Sequence, residues 1–168
     1  MSTSVQNDPQ NLTLTVTTEF DAAPERAWQL WADPRQFERW WGAPGYSVKA
    51  TAFDMRTGGK VEYHMTGPDG DTPTNVWEIV EADRPHLIVL RDAIVDENDV
   101  PVDEGPSKFT VRFESIGEGK TRMSIESKFP STESLEMALK MDMDKMFEWS
   151  YGRMAAILAD SPVAAGAA

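Results

Sequence analysis

The sequence predicts an α+β fold in which one antiparallel sheet curls around a long C-terminal helix. Three observations carry this. Segments of period-two alternation follow one another from Leu12 to Phe129, interrupted only by two short helical stretches after the first. Tight-turn signals at Gly58-Gly59, Gly67-Pro68-Asp69-Gly70-Asp71 and Gly117-Glu118-Gly119-Lys120 join consecutive strands as an antiparallel meander. Finally, Ser131 to Asp160 runs without proline, and without glycine until Gly152. In it Leu135, Leu139, Met143, Met146, Ser150, Met154 and Ile157 recur at helical spacing. A helix of that length spans roughly 40 Å and needs a surface to receive it.

The elements follow in order. Residues 1–10 are polar and expected to be a flexible N-terminus. Leu12, Leu14, Val16 and Thr18 alternate with Thr13, Thr15, Thr17 and Glu19 before Phe20, a strand rich in β-branched residues. Pro24 to Trp31 reads as a short helix with proline in its first turn and Ala27, Trp28 and Trp31 as its apolar side. Asp33 is placed to cap a second one, with Pro34 at its first position and Gln36 reaching back as in a capping box. Phe37, Trp40 and Trp41 end it, and Gly42 to Gly45 break it. Strands are then expected at Tyr46–Met55, Lys60–Thr66, Asn75–Ala82, His86–Asp92, Lys108–Ser115 and Thr121–Phe129, seven with the first. Residues 93–106 form a proline- and acid-rich excursion. Ser131 or Thr132 offers a cap for the final helix. Residues 11–160 make a single domain, and 161–168 a flexible tail.

Composition excludes several classes. The chain has 168 residues, enough for one real core, and no cysteine, so it has no disulfide, thiolate nucleophile or cysteine-based metal site. Its 28 acidic against 16 basic residues give a net charge of −12, which argues against nucleic acid and anionic lipid as partners. The start, MSTSVQNDPQ, lacks the basic and apolar regions of a signal peptide, and the longest aliphatic run, Leu87 to Leu90, is too short to span a bilayer. A cytoplasmic protein is expected.

Three blocks of residues carry a resemblance. Phe20 to Gly42 (FDAAPERAWQLWADPRQFERWWG) holds an apolar residue, Ala-x-Pro, an Ala-Trp pair and a Trp-Trp-Gly close. Gly58 to Gly70 (GGKVEYHMTGPDG) holds Gly-Gly-basic-x-x-aromatic and a Gly-Pro-Asp-Gly turn, and Met146 to Leu158 a terminal helix with Trp149. These resemble the activator of heat-shock-protein-90 ATPase homologue-like family of the START-related SRPBCC superfamily, over about residues 12–160. The resemblance implies the helix-grip fold, in which a seven-stranded antiparallel sheet wraps a long C-terminal helix. It also implies a cavity that relatives use for lipids, steroids, polyketides or other apolar molecules. Co-chaperone relatives carry a separate N-terminal domain for which this chain has no room.

With that cavity, the methionines of the final helix (Met137, Met141, Met143, Met146, Met154) and the aromatics suit a small, flat apolar or aromatic ligand. Trp40 and Trp41 are expected to gate its entrance, and Tyr63 and Ser150 to offer polar handles. Met65, Trp77, Met143, Met146, Phe147 and Met154 are expected to line its walls. The same side chains also suit a filled core. An enzyme of the cyclase or hydratase kind would draw on Tyr63, Ser150, Asp54 and His64, yet Lys60, Glu62 and His64 alternate with Val61, Tyr63 and Met65 and are expected to face solvent. No G-x-S-x-G elbow, S-x-x-K, H-E-x-x-H or phosphate loop occurs, and the acidic residues Asp96, Glu97, Asp99, Asp103 and Glu104 lack calcium-loop glycine spacing. No metal and no cofactor are expected. Exposed Trp40 and Trp41 would alternatively serve a protein partner, a chaperone or a second copy of the chain.

Overall fold

The computed structural model describes residues 3–42, 44–70, 74–94 and 108–160. In chain order the elements are β1 (Thr3–Asp8), β2 (Thr13–Phe20), α1 (Pro24–Ala32), α2 (Pro34–Trp40), β3 (Ser47–Phe53), β4 (Lys60–Thr66), β5 (Thr74–Asp83), β6 (Leu87–Ile94), β7 (Lys108–Gly117), β8 (Lys120–Lys128), α3 (Thr132–Lys140) and α4 (Met143–Asp160). The strands form one open antiparallel sheet in the order β1-β2-β8-β7-β6-β5-β4-β3, with α4 lying against it in the helix-grip arrangement. Alternation sets the inner face: Leu14, Val16, Thr18 and Phe20 on β2, Phe109, Val111 and Phe113 on β7, and Thr121, Met123, Ile125 and Ser127 on β8 are all buried. Register shifts between Ala50 and Ala52 on β3 and between Ile79 and Glu81 on β5 mark β-bulges, which bend a strand and raise its twist.

Two expectations about the elements are corrected. Residues 1–10 are not all loose: Thr3–Asp8 pairs with Thr13–Thr18 along its whole length, giving eight strands instead of seven. The joining loop is held by Asn11, whose amide groups donate to Asp8 at 2.7 and 3.2 Å, and by Lys128, whose ammonium donates to the Asn11 carbonyl. The final helix is two helices. Ser131 caps α3 through its hydroxyl, which accepts from Ser134 N at 3.1 Å, but the chain breaks after Lys140 because Asp142 takes a left-handed conformation (φ 59°). The Asp142 N–H bonds the Leu139 carbonyl, and its own carbonyl starts α4 by accepting from Met146 N at 3.1 Å. The acidic segment after Ile94 and the tail from 161 lie outside the described residues.

Helices α1 and α2 close one side of the interior. The Thr121 hydroxyl donates to Ala22 O at 2.7 Å and Arg84 pairs with Glu25 at 3.0 Å, fixing the start of α1. Asp33 caps α2 as expected, accepting from Arg35 N at 3.0 Å, while the Gln36 side chain donates to the Asp33 carboxylate and does not accept from the Asp33 N–H, which bonds Gln29 O. Gln36 also accepts from the buried Arg26 at 2.7 Å, so one amide bridges the two helices. Burial lowers the pKa of that guanidinium, which nonetheless stays charged. Glu38 accepts from Ala50 N at 2.8 Å, covering part of the β3 edge.

Candidate functional site

The interior holds two aromatic-rich zones. The first is built by α2, β4 and β5. Phe37 lies at its centre, with ring centroids 5.6 Å from Trp40, 6.1 Å from Trp41, 5.5 Å from Phe53, 5.4 Å from Tyr63 and 5.1 Å from Trp77. Phe37 and Trp40 share the inner face of α2 by their spacing of three. Trp41 leaves the helix in an extended conformation while its N–H still bonds the Phe37 carbonyl at 3.0 Å, and this turns its ring toward Trp77. Those two rings meet edge to face, 5.0 Å apart at 82°. Strand alternation brings in Tyr63 and Trp77, on neighbouring strands paired through Val61↔Trp77 and Tyr63↔Asn75.

Hydrogen bonding separates four indoles of this zone into two kinds. Trp40 donates to Leu30 O at 2.6 Å, and Trp31, 4.6 Å from Trp40 by ring centroid, donates to Met123 Sδ at 3.4 Å. The indole nitrogens of Trp41 and Trp77 are buried and find no acceptor among the described residues. Buried donors are nearly always paired in proteins, so such a pair is exceptional.

The second zone lies under α4. Phe147 packs edge to face on Phe109 at 6.4 Å, and Ser150, Tyr151, Met154, Ile157 and Leu158 complete the buried face. Tyr151 donates to Val16 O at 2.5 Å, and burial pushes its phenol far above the ordinary range. Thr18 Oγ1 on β2 and Ser127 Oγ on β8 are buried here without a partner among the described residues.

The residues chosen from sequence fall between these zones. Tyr63 and Trp77 are buried side by side in the first, with Trp41 half-buried beside them. Met65 is half-buried near Gly42, whose added Cβ would lie 3.8 Å from its methyl. Trp40 does not gate an entrance: it is fully buried, with its only polar atom engaged by Leu30. On α4, Phe147, Ser150 and Met154 face inward and Met143 is half-buried. Met146 is 44% exposed and lines no wall: the inward face of α4 is centred on Phe147, Tyr151, Met154 and Leu158, which leaves Met146 at its outer edge. Sequence reasoning missed Phe37, Phe53 and Tyr151. The signals were Phe37 three residues before Trp40, and Phe147, Tyr151, Met154 and Leu158 at i, i+4, i+7 and i+11.

The ionisable candidates do not join the handles. His64 lies on the face of β4 opposite Tyr63, with Nδ1 3.1 Å from the Thr74 hydroxyl, and Glu62 pairs with Lys60 at 3.4 Å. The hydrogen bond from Arg56 (2.6 Å) holds the Asp54 carboxyl below its ordinary value. Among the described residues no three His, Asp or Glu side chains form a metal-binding group, and no helix is long and apolar enough to cross a membrane.

Comparison with known proteins places this geometry. A family model described as Activator of Hsp90 ATPase homolog 1-like protein matches residues 21–159. The crystal structure of protein Ms6760 from Mycobacterium smegmatis is 35% identical, with 95% of this chain and 99% of that chain covered and a TM-score of 0.83. A solution structure of a protein from Arthrobacter aurescens is 36% identical, covering 94% of this chain and 91% of that one, with a TM-score of 0.85. A protein from Staphylococcus epidermidis shares the fold at 19% identity and a TM-score of 0.82, with 94% of each chain covered. No curated protein matches the chain at a significant level.

Proposed function

The chain belongs to the Activator of Hsp90 ATPase homolog 1-like family, and from that premise we propose that it binds a small apolar or aromatic ligand between its sheet and its C-terminal helix. Family membership supports a ligand-binding helix-grip fold in general terms. The observation that carries the reading for this chain is a set of buried polar atoms without partners among the described residues: Thr18 Oγ1, Trp41 Nε1, Trp77 Nε1 and Ser127 Oγ. Each unpaired buried group costs about 1–3 kcal/mol. Four such atoms among the described residues, on β2, β5, β8 and the end of α2, support a reading in which atoms from outside the chain complete the hydrogen bonding. The surrounding side chains are aromatic or aliphatic, so the rest of the occupant is apolar. Ser150 and Tyr63 remain the proposed polar handles, with Met65, Phe147 and Met154 as walls.

The test is native mass spectrometry of the protein purified from its own host, followed by denaturing extraction. A stoichiometric apolar adduct is the expected result. A clean apo mass, together with tryptophan fluorescence unchanged across a panel of lipids and aromatics, would overturn the proposal.

A further inference from the structure

Four tryptophans meet in the zone around α2, and their indole nitrogens differ in a way their rings do not. Trp31 and Trp40 find acceptors within the chain, Met123 Sδ and Leu30 O. Trp41 and Trp77, in edge-to-face contact, find none among the described residues, although Trp77 is 1% exposed. An indole nitrogen is a donor only, so what it lacks is an acceptor. The rings around the pair are Trp31, Phe37, Trp40 and Tyr63, none of which carries a charge. An anion placed there would be desolvated among rings that offer it no counter-charge, in a chain of net charge −12.

We propose that the ligand is neutral and presents hydrogen-bond acceptor oxygen, as a carbonyl or ether, to the indole N–H groups of Trp41 and Trp77. This rests on the ligand-binding reading above and narrows it. A pure hydrocarbon leaves both donors unpaired, whereas an oxygenated ring system of the same shape satisfies them. The two tryptophans are thus the specificity element, and the remaining walls select only for size and apolarity.

The experiment uses fluorenone and fluorene, flat tricycles that differ by one carbonyl, against protein labelled with nitrogen-15 at its indoles. Single Trp41→Phe and Trp77→Phe variants assign the two resonances. Both probes are expected to bind, fluorenone about fivefold or more tightly, as one added hydrogen bond dictates. The Trp41 and Trp77 indole protons should move downfield with fluorenone alone, and each variant should shrink the fluorenone-to-fluorene affinity ratio. Equal affinities with equal shifts would overturn the acceptor assignment and leave ligand binding standing. So would exchange cross-peaks from both indoles to water that persist with fluorenone bound. Binding of neither probe, by either readout, would sink the ligand-binding reading itself. If a variant fails to fold, the wild-type shifts and the fluorenone-to-fluorene ratio still decide.

Discussion

The Tyr151 hydroxyl donates to the Val16 carbonyl at 2.5 Å, tying the middle of α4 to the middle of β2 across 135 residues of sequence. Tyr151→Phe leaves the ring in place and removes this bond, which should cost about 1–2 kcal/mol in urea denaturation. The pH dependence has a definite sign. Burial raises the phenol's folded-state pKa above its ordinary 10.0, so the folded chain keeps a proton that the unfolded chain loses. Its stabilising contribution is present in full below the ordinary pKa and fades above it, at about 1.4 kcal/mol per pH unit. The stability difference between wild type and Tyr151→Phe should therefore be flat from neutral pH to about 9.5 and shrink by pH 11. A difference that stays constant to pH 11 would refute the assignment.

Two glycines should respond to alanine with opposite signs. A Cβ on Gly59 would sit 2.2 Å from Asp54 O and 2.9 Å from Arg56 O, both backbone atoms, in a turn also bonded to Ile79 N. Gly59→Ala should cost about 3 kcal/mol or prevent folding, since overpacking of this severity forces the chain to shift. Gly152 is exposed in the middle of α4 and an added methyl meets nothing within 4 Å. Gly152→Ala should stabilise by about 0.5–1 kcal/mol through the unfolded chain's lost freedom. Thermal melts of both variants check this.

The α3–α4 break depends on one residue. Asp142 holds φ 59° without being glycine, and its carboxylate lies 3.4 Å from Lys145 in the first turn of α4. Asp142→Ala keeps the strained backbone and discards the charge at the helix start, which should cost about 1–2 kcal/mol. Asp142→Gly, which relieves the backbone, should recover most of it. Equal destabilisation by the two substitutions, measured by denaturant titration, would contradict the left-handed assignment.

Gln36 links Arg26 to Asp33, accepting at 2.7 Å from one and donating at 3.0 Å to the other. Gln36→Leu withdraws an acceptor from a buried guanidinium and should lower stability by about 1.5–3 kcal/mol. Gln36→Glu restores an acceptor to Arg26 but sets a second carboxylate beside Asp33, so its loss should be smaller and ease when pH falls through the carboxylate range. An exposed-surface outcome, within about 0.5 kcal/mol for both, would argue against the bridge.

What could be read from the sequence follows from what faces the core. The inner residues of β2, β7 and β8 advertise themselves by alternation, since every second side chain is buried. β1 sends nothing into the interior, so its sequence carries no period to detect. The helix break is hidden because neither Gly nor Pro marks it, and Met146 reads as buried because a stripe drawn through Ser150, Met154 and Ile157 runs to one side of the face that Phe147, Tyr151 and Leu158 centre. Trp40 and Trp41 are indistinguishable by type. Their separation into a buried side chain bonded to Leu30 and a half-buried one without an acceptor among the described residues depends on where α2 ends, a tertiary outcome.

The polar strand β1 has a consequence for colloidal stability that can be tested by removing it. It is TSVQND, with only its end residues partly covered, and it pairs on one side with β2. Without it, the sheet would end in β2, a β-branched strand whose free backbone groups are the kind of template on which another chain's strand adds and fibrils grow. Six residues that bury almost nothing thus exchange a β-branched sheet edge for a polar one, and removing them should shorten the shelf life of a concentrated solution well before it lowers the melting temperature.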